Sequence, residues 1–101
     1  MAKVRYVLSE AADKDIEEIF DYTNYKFGFN QAVTYLENLE EFFQKLVEYP
    51  ELGRARDELK VGLYSLTMQS HVVFYRILNH SIRIVRVMHK SKDVNLFEIE
   101  K

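Results

Sequence analysis

Residues 59–93, LKVGLYSLTMQSHVVFYRILNHSIRIVRVMHKSKD, decide the fold. Leu59, Val61 and Leu63 alternate with polar or small residues, the period of a strand with one buried face. Tyr64 to Met68 continue that strand. Residues 71–78 are a dense run of β-branched and aromatic side chains, and residues 81–89 are a second. Asn79 and His80 between them suit a two-residue hairpin loop, since Asn tolerates positive φ. Three sequence-adjacent strands on links this short form an antiparallel meander. Both faces of the last two strands are apolar, which places them in the middle of a sheet.

Working outward, the upstream half is helical. Residues 3–8 carry Val4, Tyr6 and Val7 and form a first strand. Ser9 suits a helix N-cap, with Glu10 and Asp13 supplying negative charge in the first turn. Ala12, Ile16, Ile19, Phe20, Thr23 and Phe27 step by three or four and share one face. Gly28 stops this helix. A second begins near Asn30, with Ala32, Leu36, Leu39, Phe43, Leu46 and Val47 as its stripe, widened by Tyr35 and Phe42, and ends at Tyr49 before Pro50. So short a link makes the two an antiparallel helical hairpin. Residues 50–56 form a loop, with Gly53 free to turn. The expected fold is α+β: an N-terminal strand, then a helical hairpin packed on a small antiparallel β-sheet, in the order β-α-α-β-β-β. Residues 91–101 form a last helical turn or a tail carrying Val94, Leu96, Phe97 and Ile99.

A chain of 101 residues holds one core, so residues 1–101 are read as a single domain. Cysteine is absent, which removes disulfides and cysteine-bound zinc and fits a reducing cytoplasm. No apolar run approaches the roughly 20 residues of a membrane span, and the first ten residues lack the apolar core of a signal peptide. Net charge is −2, where a protein held by phosphate contacts is usually basic, so direct nucleic-acid binding is not expected. The charge is uneven. Acids dominate residues 13–51. In residues 54–92, eight Lys and Arg face only Asp57 and Glu58, which points to an acidic partner for that half.

Few residues carry recognisable chemistry. His71, His80 and His89 match no zinc spacing, the three glycines make no phosphate loop, and no cofactor is implied. Strand alternation puts Val72, Phe74 and Arg76 on one face and His71, Val73 and Tyr75 on the other. Arg86 and His89 point to opposite faces unless a bulge intervenes. Arg86 pairs with a helix carboxylate such as Asp13, Glu17 or Asp21, or joins a basic face offered to a partner.

The order and spacing of these pieces resemble the ParE branch of the RelE/ParE toxin superfamily. The matching pieces are Tyr6-Val7-Leu8-Ser9 with Ala12 and Asp15-Ile16; Ile19 with Tyr22-Thr23; Phe27-Gly28, Gln31-Ala32 and Tyr35-Leu36; Pro50-Glu51-Leu52-Gly53-Arg54; Gly62-Leu63; His71-Val72-Val73-Phe74-Tyr75-Arg76; and Ile84-Val85-Arg86-Val87-Met88-His89 with Asp93. Two positions depart from the pattern: Tyr64 stands where many relatives carry Arg, and Lys92 where an apolar residue is common.

The resemblance implies a plasmid-stabilising, growth-inhibiting toxin, neutralised by a cognate ParD-like antitoxin in a hetero-oligomer and poisoning DNA gyrase. Relatives of the RelE type instead cut messenger RNA on the ribosome. That chemistry needs cations and proton-transfer groups around a phosphate. Here Val72 stands at the position of a strand Arg, and Phe97 about where some nucleases carry Tyr; His89 matches a His of one subgroup. The set is incomplete, so the non-enzymatic branch is preferred. A non-toxic antitoxin-binding relative is the third reading. Candidate target contacts are Arg76, Arg83, Arg86, His89, Lys90, Lys92 and Asp93; candidate antitoxin contacts are Phe20, Tyr35, Phe42 and Tyr64. One spatial criterion separates the branches: His89 beside a second cation and a carboxylate in one solvent-open pocket would mark a cutting site.

Overall fold

The computed structural model describes residues 5–94. In chain order it contains β1 (Arg5–Leu8), α1 (Glu10–Phe27), α2 (Phe29–Glu48), a 3-10 turn (Pro50–Leu52), β2 (Arg54–Ala55), β3 (Leu63–Met68), β4 (His71–Ile77) and β5 (Ser81–His89). The strands form one sheet in the order β1-β5-β4-β3-β2. The meander β3-β4-β5 is antiparallel, and β4 and β5 are central, as their two-sided apolar pattern requires.

The sheet is not antiparallel throughout. β1 pairs with β5 in parallel, from Arg5 opposite Ser81 to Leu8 opposite Ile84. A parallel pair needs a long crossover, and everything from α1 to β4 supplies it. The expected loop of residues 50–56 also holds structure, since Arg54 and Ala55 pair with Ser65 and Tyr64 at the sheet edge. The first meander strand starts at Leu63 rather than Leu59. Leu59 and Lys60 instead turn back onto the Arg56 carbonyl, and Gly62 takes a positive φ. The hairpin at Asn79 and His80 closes through Leu78 N to Ser81 O at 2.9 Å. It uses no positive φ; among described non-glycine residues only Gln69, in the β3–β4 turn, has one.

The helices form where capping and pattern place them. Ser9 caps α1 through its side chain, accepting from Ala12 N at 2.9 Å. Gly28, at φ 97°, ends α1 and starts α2, a conformation that disfavours any residue with a Cβ. One face of the sheet packs under the hairpin: Leu39, Phe43 and Leu46 meet Val73, Tyr75, Ile82, Ile84 and Val87. Each such fully buried side chain contributes about 1.5–3 kcal/mol. Two stripe residues stay exposed: Phe27, at the end of α1, at 65%, and Leu36, between the buried Ala32 and Leu39 of α2, at 40%. A smaller cluster, Leu63, Phe74, Val85 and Met88, lies on the other face beneath Leu59, Val72 and Val94. The helix or tail expected after Ser91 falls mostly outside the described residues, as do Leu96, Phe97, Ile99 and the start of the first strand.

Candidate functional site

Beyond Ile84, β1 has ended and β5 has a strand neighbour, β4, on one edge only. Its open backbone groups need partners, and the start of α1 provides them. Ser9 N donates to Ile84 O at 3.0 Å, and Ser9 Oγ donates to Val85 O at 2.7 Å. Val87 N donates to Asp15 Oδ2 at 2.9 Å. The same carboxylate receives Arg86, with Nε to Oδ2 at 2.7 Å and Nη2 to Oδ1 at 2.8 Å. The helix partner of Arg86 is therefore Asp15, not Asp13, Glu17 or Asp21. Asp15 lies within the region where α1 crosses β5, which helical periodicity alone does not reveal.

β5 carries a bulge: Phe74 pairs with Arg86 but Tyr75 with Ile84, leaving Val85 as an extra residue. The bulge precedes Arg86, and from Arg86 to His89 the register is unbroken. Arg86, through its pairing with Asp15, and His89 nonetheless border the same cleft, of about 620 Å³, between the helical hairpin and the ends of β4 and β5 that carry His71 and His89. Asp15, Tyr22 and Thr23 border it from α1, Gln31 and Tyr35 from α2, and His71 and Lys92 from the sheet side.

His71 and His89 are direct cross-strand partners, with ring centroids 5.4 Å apart. Tyr35 Oη and His71 Nδ1 share a hydrogen bond of 2.5 Å. Burial, then the neighbouring His89, pushes the His71 pKa down to about 4, with Asp15 opposing. His71 is thus neutral at pH 7. Burial raises the Tyr35 pKa. His89 is more open, and its Nδ1 lies 2.8 Å from Ser91 Oγ and accepts from Ser91 N at 3.1 Å. Among the described residues, no group of three or more His, Asp or Glu is placed to hold a metal.

The structure divides the seven candidate target contacts into three places. Arg86 sits in the cleft, tied to Asp15. His89, Lys90, Lys92 and Asp93 gather at a shallower groove of about 300 Å³ on the open face, over Val72 and Phe74, where Arg56 also stacks above Phe74 at 5.7 Å. Arg76 and Arg83 face each other across β4 and β5 at the opposite end of the sheet. His89 and Lys92 border both cleft and groove.

The four candidate antitoxin contacts are partly buried. Tyr35 is bound to His71, Tyr64 stacks on Tyr75 at 5.6 Å, Phe42 packs on the main core, and Phe20 meets Phe29 edge-on at 6.1 Å. Four exposed aromatics lie towards the hairpin tip instead, Tyr22, Tyr25, Phe27 and Phe29, and a fifth, Tyr49, lies at the far end of α2. Tyr22, Tyr25 and Phe29 stand off the helical stripes, which was the signal available for them.

Two helices laid over a five-stranded mixed sheet are the architecture of chains from toxin–antitoxin complexes. A chain of the chromosomal ParDE TA system from P. aeruginosa matches with a TM-score of 0.73 at 19% identity, covering 86% of this chain and 96% of that one. A chain of the toxin–antitoxin complex RelBE2 from Mycobacterium tuberculosis matches with a TM-score of 0.66, also at 19% identity, covering 88% and 100%. At the level of sequence the assignment is narrower. The family described as "ParE toxin of type II toxin-antitoxin system, parDE" matches residues 6–94, and this chain belongs to it. Toxin ParE1 of Mycobacterium tuberculosis is 40% identical over 92 residues, 90% of this chain and 94% of that protein. Toxin ParE1 of Caulobacter vibrioides is 34% identical over 86 residues, 85% and 88% respectively. No helix among the described residues is long and apolar enough to cross a membrane.

Proposed function

We propose that this protein poisons DNA gyrase in the cytoplasm by binding it, without cutting nucleic acid, and that a ParD-like antitoxin neutralises it. Such a pair stabilises the plasmid or locus that carries it. The observation that carries this reading is the Asp15–Arg86 pair. The cleft does place His89 beside a cation and a carboxylate, contrary to the sequence expectation. Yet both oxygens of that carboxylate hold the guanidinium, and one also takes Val87 N. The grouping is occupied with holding α1 on β5. Val72, where a nuclease carries Arg, lies instead against the open-face apolar cluster. The antitoxin's surface on this reading is the helical hairpin with the neighbouring sheet edge: Phe20, Tyr35 and Phe42 shape the first and Tyr64 of β3 the second, and the exposed tip aromatics take an apolar helix face. Supercoiling by purified gyrase should fall with micromolar protein and recover on adding the antitoxin. Undiminished supercoiling at micromolar excess removes gyrase as the target.

A second reading, a ribosome-dependent endoribonuclease, is favoured by one feature: His71, His89 and Tyr35 border one open cleft. It requires codon-linked cleavage of translated messages after induction, abolished by His89→Ala. Intact messages eliminate it. Unimpaired growth on induction without antitoxin would instead mark a non-toxic antitoxin-binding relative.

A further inference from the structure

We propose that His71 and His89 together bind one divalent transition-metal ion, such as zinc, at the edge of the cleft. Such a site is independent of which target the protein poisons.

Along the chain the histidines match no zinc motif; strand register makes the pair. Lys90 N donates to Ser70 O at 2.9 Å, so residues 70 and 90 form a hydrogen-bonded position of the β4–β5 ladder. His71 and His89 are the next pair in register. They are therefore a non-hydrogen-bonded pair, the kind whose side chains come closest. Their ring centroids are 5.4 Å apart. A zinc–nitrogen bond of about 2.1 Å puts each ring centroid about 3.2 Å from the ion, and at the tetrahedral angle the two centroids stand about 5.2 Å apart. The observed separation is that of two imidazoles sharing one ion, so binding needs rotation of the rings but no movement of the strands.

The groups around the rings favour the ligating form. Tyr35 Oη holds His71 Nδ1 at 2.5 Å, and Ser91 Oγ lies 2.8 Å from His89 Nδ1. With each Nδ1 proton donated to its hydroxyl, each Nε2 keeps a lone pair for the metal. Ligating imidazoles are commonly held in this way through the second nitrogen, which fixes ring and tautomer. For His89 the exchange gives up the 3.1 Å bond from Ser91 N. The cleft carries no excess of positive charge against a cation, since Asp15 and Glu18 line it along with Arg86 and Lys92. A structural zinc centre closes its shell with four protein ligands. Two nitrogens instead leave positions for water or for a group entering the cleft, which makes this a weaker, open site. Imidazole selects zinc, copper and nickel over magnesium and calcium.

The test is isothermal titration calorimetry of tag-free protein with zinc chloride at neutral pH, and magnesium chloride in parallel. One zinc ion per chain is expected. His71→Gln and His89→Gln should each weaken binding at least about tenfold, and Tyr35→Phe, which removes the hydroxyl holding His71, about tenfold. His80→Gln, in the loop between β4 and β5, should leave binding unchanged. Zinc at about ten times its dissociation constant should raise the melting temperature by about 5 °C or more. Circular dichroism without metal checks folding of the variants. In the unaltered protein, the imidazole nitrogen NMR shifts of His71 and His89 should move together as zinc is added, which reads both ligands without any substitution. No binding at millimolar zinc, magnesium bound as tightly as zinc, binding indifferent to either histidine variant, or a shift of one imidazole alone would overturn the assignment.

Discussion

The two faces of the sheet handle charge in opposite ways. Under the helices, ionic and polar groups are matched: Asp15 to Arg86 and Val87, Ser9 to Val85, and Tyr35 to His71. On the other face, Arg76 donates to the Val61 carbonyl at the rim, and the ion pair between Arg56 and Glu58 is mostly exposed on its acidic side. The lesson is about solvent. Where water is excluded, an unmatched charge costs several kcal/mol, so geometry is fixed around it. Where water remains, an ion pair contributes little and its geometry is loosely held.

The strongest way to break this comparison is Asp15→Ala. It strands Arg86 and leaves Val87 N without its acceptor, so a loss of about 3–5 kcal/mol is expected in urea unfolding. A loss below about 1 kcal/mol would mean the pair is not holding α1 in place. Tyr75→Phe comes next. The Tyr75 hydroxyl accepts from Gly53 N at 2.9 Å and donates to Pro50 O at 2.6 Å, tying the connection after α2 to β4. Removing it should cost about 1–3 kcal/mol, read in the same denaturation. Gly53 is packed so closely that an added Cβ would meet Tyr75 Oη at 2.5 Å. Ser9→Ala should cost about 1 kcal/mol for the lost cap, with the melting temperature as readout.

The other face predicts effects near zero. Arg83→Gln should change stability by less than about 0.5 kcal/mol in the same denaturation. A marked loss would show that Arg83 is a structural residue. Glu58→Gln should leave the melting temperature unchanged, although Arg56 holds that carboxylate below its usual pKa.

His71 sharpens the comparison through pH. Its folded pKa, about 4, lies below its unfolded value near 6.5. Above pH 6.5 it is neutral in both states and adds no pH dependence. As pH falls from 6.5 toward 4 the unfolded chain takes up the proton first, so stability declines over that window. His71→Gln should remove this part of the acid slope, and an NMR titration should place the His71 midpoint well below that of a free histidine.

Much of this architecture is legible from local chemistry. Ser9 and Gly28 mark helix ends through capping and positive φ, and period-two runs identify β4 and β5 as central strands. The Pro50–Leu52 turn and the short β2 escaped because a two-residue edge strand has no period to detect. Phe27 misled because spacing reports which face a residue shares, not whether anything lies opposite it. Among the candidate site residues, the sequence located the arginines but could not group them. Two of them oppose each other, while the third pairs with an acid 71 positions away.

Sequence by itself determined the two helices and the longer strands, their order, the family pattern and the segregation of acids from bases, because these depend on neighbours within a few residues. Only the tertiary structure decided the parallel pairing of β1, the bulge at Val85, the Asp15–Arg86 contact and the meeting of His71 with His89. Each of those brings together groups distant in the chain. Their placement is set by strand register and by which backbone edge is left open, quantities that exist only once the sheet has formed.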